Sequence, residues 1–504
     1  MTQGVATSAD DGVRSATRGS AVNMIGAVIT TVAGFASLIL VSRSYGQVST
    51  GVLFTAVGVF TLLANTAKIG TEASMTWFVA HARANGRRGA IAKVVSSALT
   101  GSGLASVAVA ALAGLAAAPL AALLTDDPAL GDEMRSLLVL LAVAIPGWAV
   151  AQASLGAMRG FGSMRPSVMI GAILRPGVQL VVLAGLVALS TPLWVLGFAW
   201  LTAGLASAAA GLWWLARRIA PIPVDDDDGR AEFWGHARPR AASDILHGAL
   251  ERLDVILVGA LAGSAAAGSY AAANRLVLAG QLVLMAIAQA VAPPVATHLA
   301  SGRTADAEVV VQRVTGWSVL LLWPAMAVMV AGAPGIMTVF GDEFADTAVV
   351  VAVLGVGLAF VSAMGPGDAV LLMTGDSRGS MHNHVAALVS MLVVALVAIP
   401  LWGAVGAALA WVASRMTLRG LSVWRIRRAT GIRSVGRSVP LAAGLTVVAY
   451  GPIAVACHSA GLPGLVTLAL VALLGSAAYL VGVWGFADEL SIVSLVAALQ
   501  RRQG

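Results

Sequence analysis

Cysteine is almost missing from this chain. Cys457 is the single one in 504 residues and lies inside an apolar run, which excludes an intrachain disulfide and any cysteine-based metal site. Charge is scarce as well: 11% of residues are Asp, Glu, Lys or Arg, against roughly a quarter in soluble domains. No Gly-rich phosphate loop ending in Lys and Ser or Thr is present, so ATP hydrolysis within the chain is not expected. His382 and His384 stand near zinc spacing but without further ligands, and no metal or cofactor is expected. The stretch from Met1 to Thr17 is polar, with Asp10, Asp11 and Arg14, so no signal peptide is read. Alternating barrel strands are nowhere visible.

What is abundant is apolar and small. Hydrophobic residues make up 58%, there are 56 glycines, and the mean hydropathy is +0.88. Small residues suit helices that approach closely in lipid, so the expected class is an all-α integral membrane protein. Taking about 20 apolar residues per span, helices are expected near 18–43, 49–80, 90–120, 134–158, 166–189 and 192–216. A second set follows near 239–262, 266–296, 314–338, 345–374, 381–400 and 402–424, with two more near 438–457 and 463–486. About 14 spans result, with the basic residues clustered in alternate loops, as at Arg83, Arg87, Arg88 and Lys93 and again at Arg425, Arg427 and Arg428. The net charge of +7 therefore reads as topology, with both termini cytoplasmic in a multi-pass cell membrane protein, and not as nucleic-acid binding.

The chain also repeats itself. Ile39-Leu40-Val41, Gly46, Gly51, His81 and Gly162-Ser163-Met164 recur as Ile256-Leu257-Val258, Gly263, Gly268, His298 and Gly379-Ser380-Met381, always at the same displacement along the chain. Five ordered matches at one displacement imply an internal duplication. Six spans per copy is an even number, so the lobes are related in parallel. The expected organisation is an N-lobe with a polar tail (1–218), a cytoplasmic linker (219–237) too polar to be buried, a C-lobe (238–433), two extra helices (434–487) and an amphipathic cytoplasmic tail (488–504). A duplicated bundle of this kind implies a secondary transporter working between its lobes.

The order of features resembles the multidrug/oligosaccharidyl-lipid/polysaccharide (MOP) exporter superfamily, and within it the Wzx-type polysaccharide flippases. Leu253-Asp254-Val255-Ile256-Leu257-Val258-Gly259, running into Ala267-Gly268-Ser269-Tyr270 and Asn274-Arg275-Leu276, carries it, with Gly70-Thr71-Glu72-Ala73-Ser74 and Arg159-Gly160 in the first lobe. The resemblance implies two lobes around a cavity and movement of a lipid-linked oligosaccharide from the inner to the outer leaflet, beside membrane lipids and polysaccharide assembly enzymes. A multidrug or toxin extruder of the same superfamily is the alternative. A polysaccharide polymerase or glycosyltransferase fits less well, because the longest expected external loop, 121–133, is too short for catalysis, and no enzyme is read.

Ionisable side chains inside spans are costly and become the site candidates. Arg252 and Arg275 fall roughly 15 Å deep on consecutive helices, and guanidinium groups suit a diphosphate. Arg175 precedes Pro176, which removes a helix donor and can widen the helix. Lys68 and Glu72 are four apart and either pair with each other or face the cavity. Asp244 and Asp368 are the candidates for coupling to a proton or Na+. Gly365-Pro366-Gly367 reads as a bend.

Overall fold

In lipid no water satisfies a bare peptide group, so spanning segments must bond within themselves, and the computed structural model is helical throughout its spans. It describes residues 2–125, 127–221, 228–487 and 489–490. The helices are α1 (Thr2–Ala67), α2 (Thr71–Ala84), α3 (Arg88–Leu115), α4 (Ala117–Leu124), α5 (Pro128–Gly160), α6 (Arg175–Ala188), α7 (Phe198–Ile219), α8 (Arg230–Ala300) and α9 (Thr304–Ala331). Then come α10 (Ala333–Met337), α11 (Ala348–Ala363), α12 (Gly367–Met373), α13 (Ser377–Trp402), α14 (Ala404–Thr430), α15 (Ser438–Ser459), α16 (Gly464–Leu470) and α17 (Ser476–Gly485). Among the described residues 11 helical stretches are long and apolar enough to span a membrane, and three of them, Met24–Ala84, Arg230–Ala288 and Asp342–Met373, run through a kink or break. The amphipathic tail expected over 488–504 lies outside the described residues except at 489 and 490.

Burial runs opposite to that of a soluble protein. Val181, Val448 and Leu473 are more than 70% exposed, while Ser102, Ser154 and Thr315 are fully buried. Two of these hydroxyls are satisfied locally, Ser154 donating to the Val150 carbonyl at 2.8 Å and Thr315 to that of Val311 at 2.8 Å. Large exposed apolar faces over buried hydroxyls are stable only in hydrocarbon.

The duplication is visible in backbone angles. Gly46 bends α1 at φ 78°, ψ 179°, and its repeat, Gly263, bends α8 at φ 81°, ψ 175°. Only glycine adopts that conformation without strain. Between the His81 and Gly162 matches the displacement is one position shorter, where α3 and α9 each run 28 residues after an Arg N-cap, Arg87 or Arg303.

Contacts divide the chain into two compact units, one of Met1–Tyr45 and Val52–Ile256, the other of Gly46–Gly51 and Leu257–Gly504. Within the second, the repeated glycines meet: a Cβ on Gly51 would lie 1.7 Å from the Ser264 carbonyl oxygen, and one on Gly268 2.2 Å from that of Gln47. Gln47 also hydrogen-bonds Ser269 there. The C-terminal helices dock in the same unit, where the Tyr479 hydroxyl donates to the Leu320 carbonyl of α9 at 3.0 Å.

Three expectations need correction. The span read as one helix over 49–80 breaks at residues 68–70, between α1 and α2. The two helices expected over 239–262 and 266–296 do meet as separate helices, but at a kink on one residue, Gly263, with no loop between them. The linker is not solvated along its whole length, because α8 starts at Arg230 and buries Phe233 and Ala237 among Phe78, Val79 and Val94. Aromatic residues between the charges carry that docking: Phe233 meets Phe78 edge to face at 6.2 Å. Residues 222–227, with most of the acidic run, lie outside the described residues.

Candidate functional site

The first unit gathers its charge at the break between α1 and α2. Ile69 holds φ 45°, a left-handed value that is unfavourable for a β-branched residue, and Gly70 follows at φ 74°. A Cβ on Gly70 would come 2.3 Å from the Ala237 carbonyl of α8, so only glycine fits. Thr71 stitches the break, its amide and hydroxyl both donating to the Lys68 carbonyl at 2.9 and 2.7 Å.

Glu72 opens α2 one turn beyond Lys68. Its carboxylate accepts from Lys68 Nζ at 2.8 Å and from Arg159 Nη2 at 2.6 Å. Arg159 reaches it because Gly156 and Gly160 let α5 lie directly on α2: a Cβ on Gly156 would be 2.3 Å from the Glu72 carbonyl, and one on Gly160 2.7 Å from the Val79 side chain. Thr76 closes the seam, donating to the Gly156 carbonyl at 2.9 Å.

Arg175 approaches from α6. A π-helix over Ser167–Leu174 precedes it and Pro176 follows, the local widening expected from the missing proline donor. Its guanidinium lies over the Trp148 ring at 4.3 Å, and the field of Glu72 reaches it. Phe60 meets the same indole edge to face at 5.6 Å, and Trp148 Nε1 is buried with no hydrogen-bond partner among the described residues. From α8, Asp244 pairs with Arg240 at 3.3 Å and is electrostatically coupled to Lys68 and Glu72.

The structure thus brings Lys68, Glu72, Arg175 and Asp244 together and adds Arg159, Arg240 and Trp148, which sequence reasoning had not assigned to a site. The Gly156-to-Gly160 spacing was the available signal for Arg159. Arg252 lies two turns beyond Asp244 in the same unit, its Nε buried and without a hydrogen-bond partner among the described residues. Arg275 and Asp368 belong to the other unit. Asp368 opens α12 just after the expected break, where Gly365 takes φ 78°, and accepts from Ser380 Oγ at 2.8 Å. Arg419 donates to the Gly365 carbonyl at 3.3 Å, and Arg425 to Asn383 at 2.8 Å. Among the described residues no group of three His, Cys, Asp or Glu side chains could hold a metal ion.

A duplicated helical body with lipid-facing apolar surfaces and charge gathered at a broken helix defines a polytopic membrane transporter of the MOP superfamily. A family model described as "Polysaccharide biosynthesis protein" matches residues 16–299, more than half of the chain, and the chain belongs to that family. A second model, MatE, matches residues 239–402. Among solved structures, the chain is similar to the lipid II flippase MurJ in an inward closed conformation, at TM-score 0.73 and 12% identity over 92% of this chain and 99% of that one. It is also similar to an inward-facing multidrug resistance MATE family transporter, at TM-score 0.67 and 13% identity over 80% of this chain and 94% of that one. A MOP superfamily transporter from Pyrococcus furiosus aligns at TM-score 0.55 and 16% identity, over 83% and 95%. The curated proteins return no match.

Proposed function

We propose that the protein is a flippase that carries a polyprenyl-diphosphate-linked oligosaccharide or polysaccharide precursor from the inner to the outer leaflet of the cell membrane by alternating access. The carrying observation is the charge balance at the break: Lys68, Arg159, Arg175 and Arg240 outnumber the two carboxylates of Glu72 and Asp244. Such a group retains positive character inside a span, where only an anionic ligand offsets its cost. Arg175 presents a planar fork suited to phosphate oxygens, held against the face of Trp148. The same excess of cations disfavours cationic drugs as cargo, which argues against the extruder reading. Asp244 is the residue through which a proton or Na+ would act, because its charge is coupled to Lys68 and Glu72.

The test is flipping of a fluorescent polyprenyl-diphosphate sugar by the purified protein in vesicles. Arg175→Ala lowers the rate by about tenfold or more, the loss expected for one hydrogen bond to a charged group, and Arg175→Lys recovers part of it. Unchanged flipping by Arg175→Ala at equal incorporation rejects the assignment. Export of a cationic dye by the wild-type protein with no movement of the lipid favours the extruder instead.

A further inference from the structure

We infer that a groove between α3 and the start of α8 is a binding site for the phosphate headgroup of an anionic glycerophospholipid, separate from the charged break and independent of what the protein transports. The groove has a volume of about 700 Å³ and lies wholly within the first unit. Its floor is one face of α3, where Lys93, Ser96, Thr100 and Leu104 follow at helical spacing. Its wall is the first turn of α8, with Arg230 and Trp234 four residues apart.

The order of these side chains matches the profile of one leaflet. Lys93 and Arg230 stand at the end of α3 that the basic loops assign to the membrane surface. The Ser96 and Thr100 hydroxyls come next, and Leu104, 68% exposed, completes the row. From Lys93 to Leu104 the rise is about 16 Å, the passage from headgroup to acyl chain. Two cations, two hydroxyls and then hydrocarbon describe a phosphate carried on a lipid better than a free ion, since basic pockets beside spanning helices suit anionic headgroups.

The wall is built, not incidental. Trp234 Nε1 donates to Ser97 Oγ at 3.1 Å, and its ring fills the space left by Gly101, where a Cβ would lie 2.6 Å from the indole. An indole fixed at this level is the usual interfacial anchor. Arg230 pairs with Asp228 at 2.6 Å, but both side chains are more than half exposed, so the pair yields readily to a phosphate. Lys93 pairs with no carboxylate among the described residues. A bound headgroup would tie α8, and through it Ala237 against the break at Gly70, to α3.

The experiment purifies the full chain in detergent, adds phosphatidylglycerol or phosphatidylcholine, and counts retained lipid by native mass spectrometry. One phosphatidylglycerol is retained in clear preference to phosphatidylcholine, and Lys93→Gln with Arg230→Gln lowers that preference by about tenfold or more. Lys93→Gln alone, a half-buried residue of the lining, gives an intermediate loss and serves if the double variant does not fold. Gly101→Leu, which displaces the indole, weakens retention without altering charge. Equal retention of the two lipids, full retention by the charge variants, or displacement of phosphatidylglycerol by inorganic phosphate each overturns the proposal.

Discussion

The second helix of the first copy and its counterpart in the second copy began as the same element and now differ in kind. In the first copy Lys68-Ile69-Gly70 interrupts the helix and Glu72 collects cations, whereas the matching positions are Met285-Ala286-Ile287 and Gln289, and α8 runs through them unbroken. The kink that opens both helices is preserved at Gly46 and Gly263 to within a few degrees. A duplicated transporter can therefore keep its bends as shared scaffold while one copy alone acquires charge and a break. The break is also where strain is stored, because Ile69, a β-branched residue, holds a left-handed φ of 45°.

The comparison can be broken at its glycine first. Gly70→Ala combines a disfavoured φ with a contact at 2.3 Å and costs about 3 kcal/mol, while Ala286→Gly, at the match of Ile69 in the continuous helix, costs about 1 kcal/mol. Thermal unfolding in micelles measures both, and equal losses would remove the asymmetry. Next comes the charge. Glu72→Gln gives the first copy the residue of the second, leaves Lys68 and Arg159 without their carboxylate and destabilises by about 2 kcal/mol. Adding Lys68→Met, again the second copy's residue, recovers part of that loss; a double variant worse than the single would mean that the carboxylate is not there to hold cations.

A smaller contrast concerns the shared kinks. Both Gly46→Ala and Gly263→Ala force alanine to positive φ, but a Cβ at Gly46 meets Glu343 Oε1 at 2.8 Å whereas at Gly263 it meets open space. Gly46→Ala is expected to be the worse by about 1 kcal/mol, a modest clash added to common backbone strain. Last, orientation is read without any energetic change. Asp228→Cys in a Cys457→Ala background stays unlabelled by an impermeant thiol reagent on intact cells and reacts after permeabilisation if the linker is cytoplasmic. Asp228 serves better than Gly229, whose φ is +49° and whose Cβ would strike Phe78 at 2.6 Å.

Features that depend on neighbours in the chain were legible. The duplication, the apolar runs, the bend at Gly365-Pro366-Gly367, the widening before Pro176 and the Lys68–Glu72 pair all follow from residues within a turn or two of one another or from plain repetition. Features that depend on distant helices were not. Arg159 entered only through the Arg159-Gly160 match, and what makes it a partner of Glu72 is the approach of α5 to α2 from 87 residues away. Arg230 to Ala237 looked like linker because its charges are conspicuous, yet Phe233, Trp234 and Ala237 pack it against the core. The break after Ala67 was hidden because Ile69, a strong β-branched apolar residue, gave no sign of a left-handed turn.

The π-helix ahead of Arg175 has a consequence for how this site can change over generations. Such a segment is an α-helix carrying one surplus residue, so a single-codon deletion anywhere from Ser167 to Leu174 would restore a regular helix and leave the pocket's own side chains intact. The wide turn takes up its surplus residue, so α6 keeps nearly the register of a regular helix, and the deletion would leave Arg175 on the side of the Trp148 indole while narrowing the turn ahead of it. Selection thus has a one-step route to reshape the backbone ahead of the guanidinium without altering a single amino acid in the pocket, and an insertion at the same place is the mirror-image route by which an ancestral helix could have acquired the wide turn.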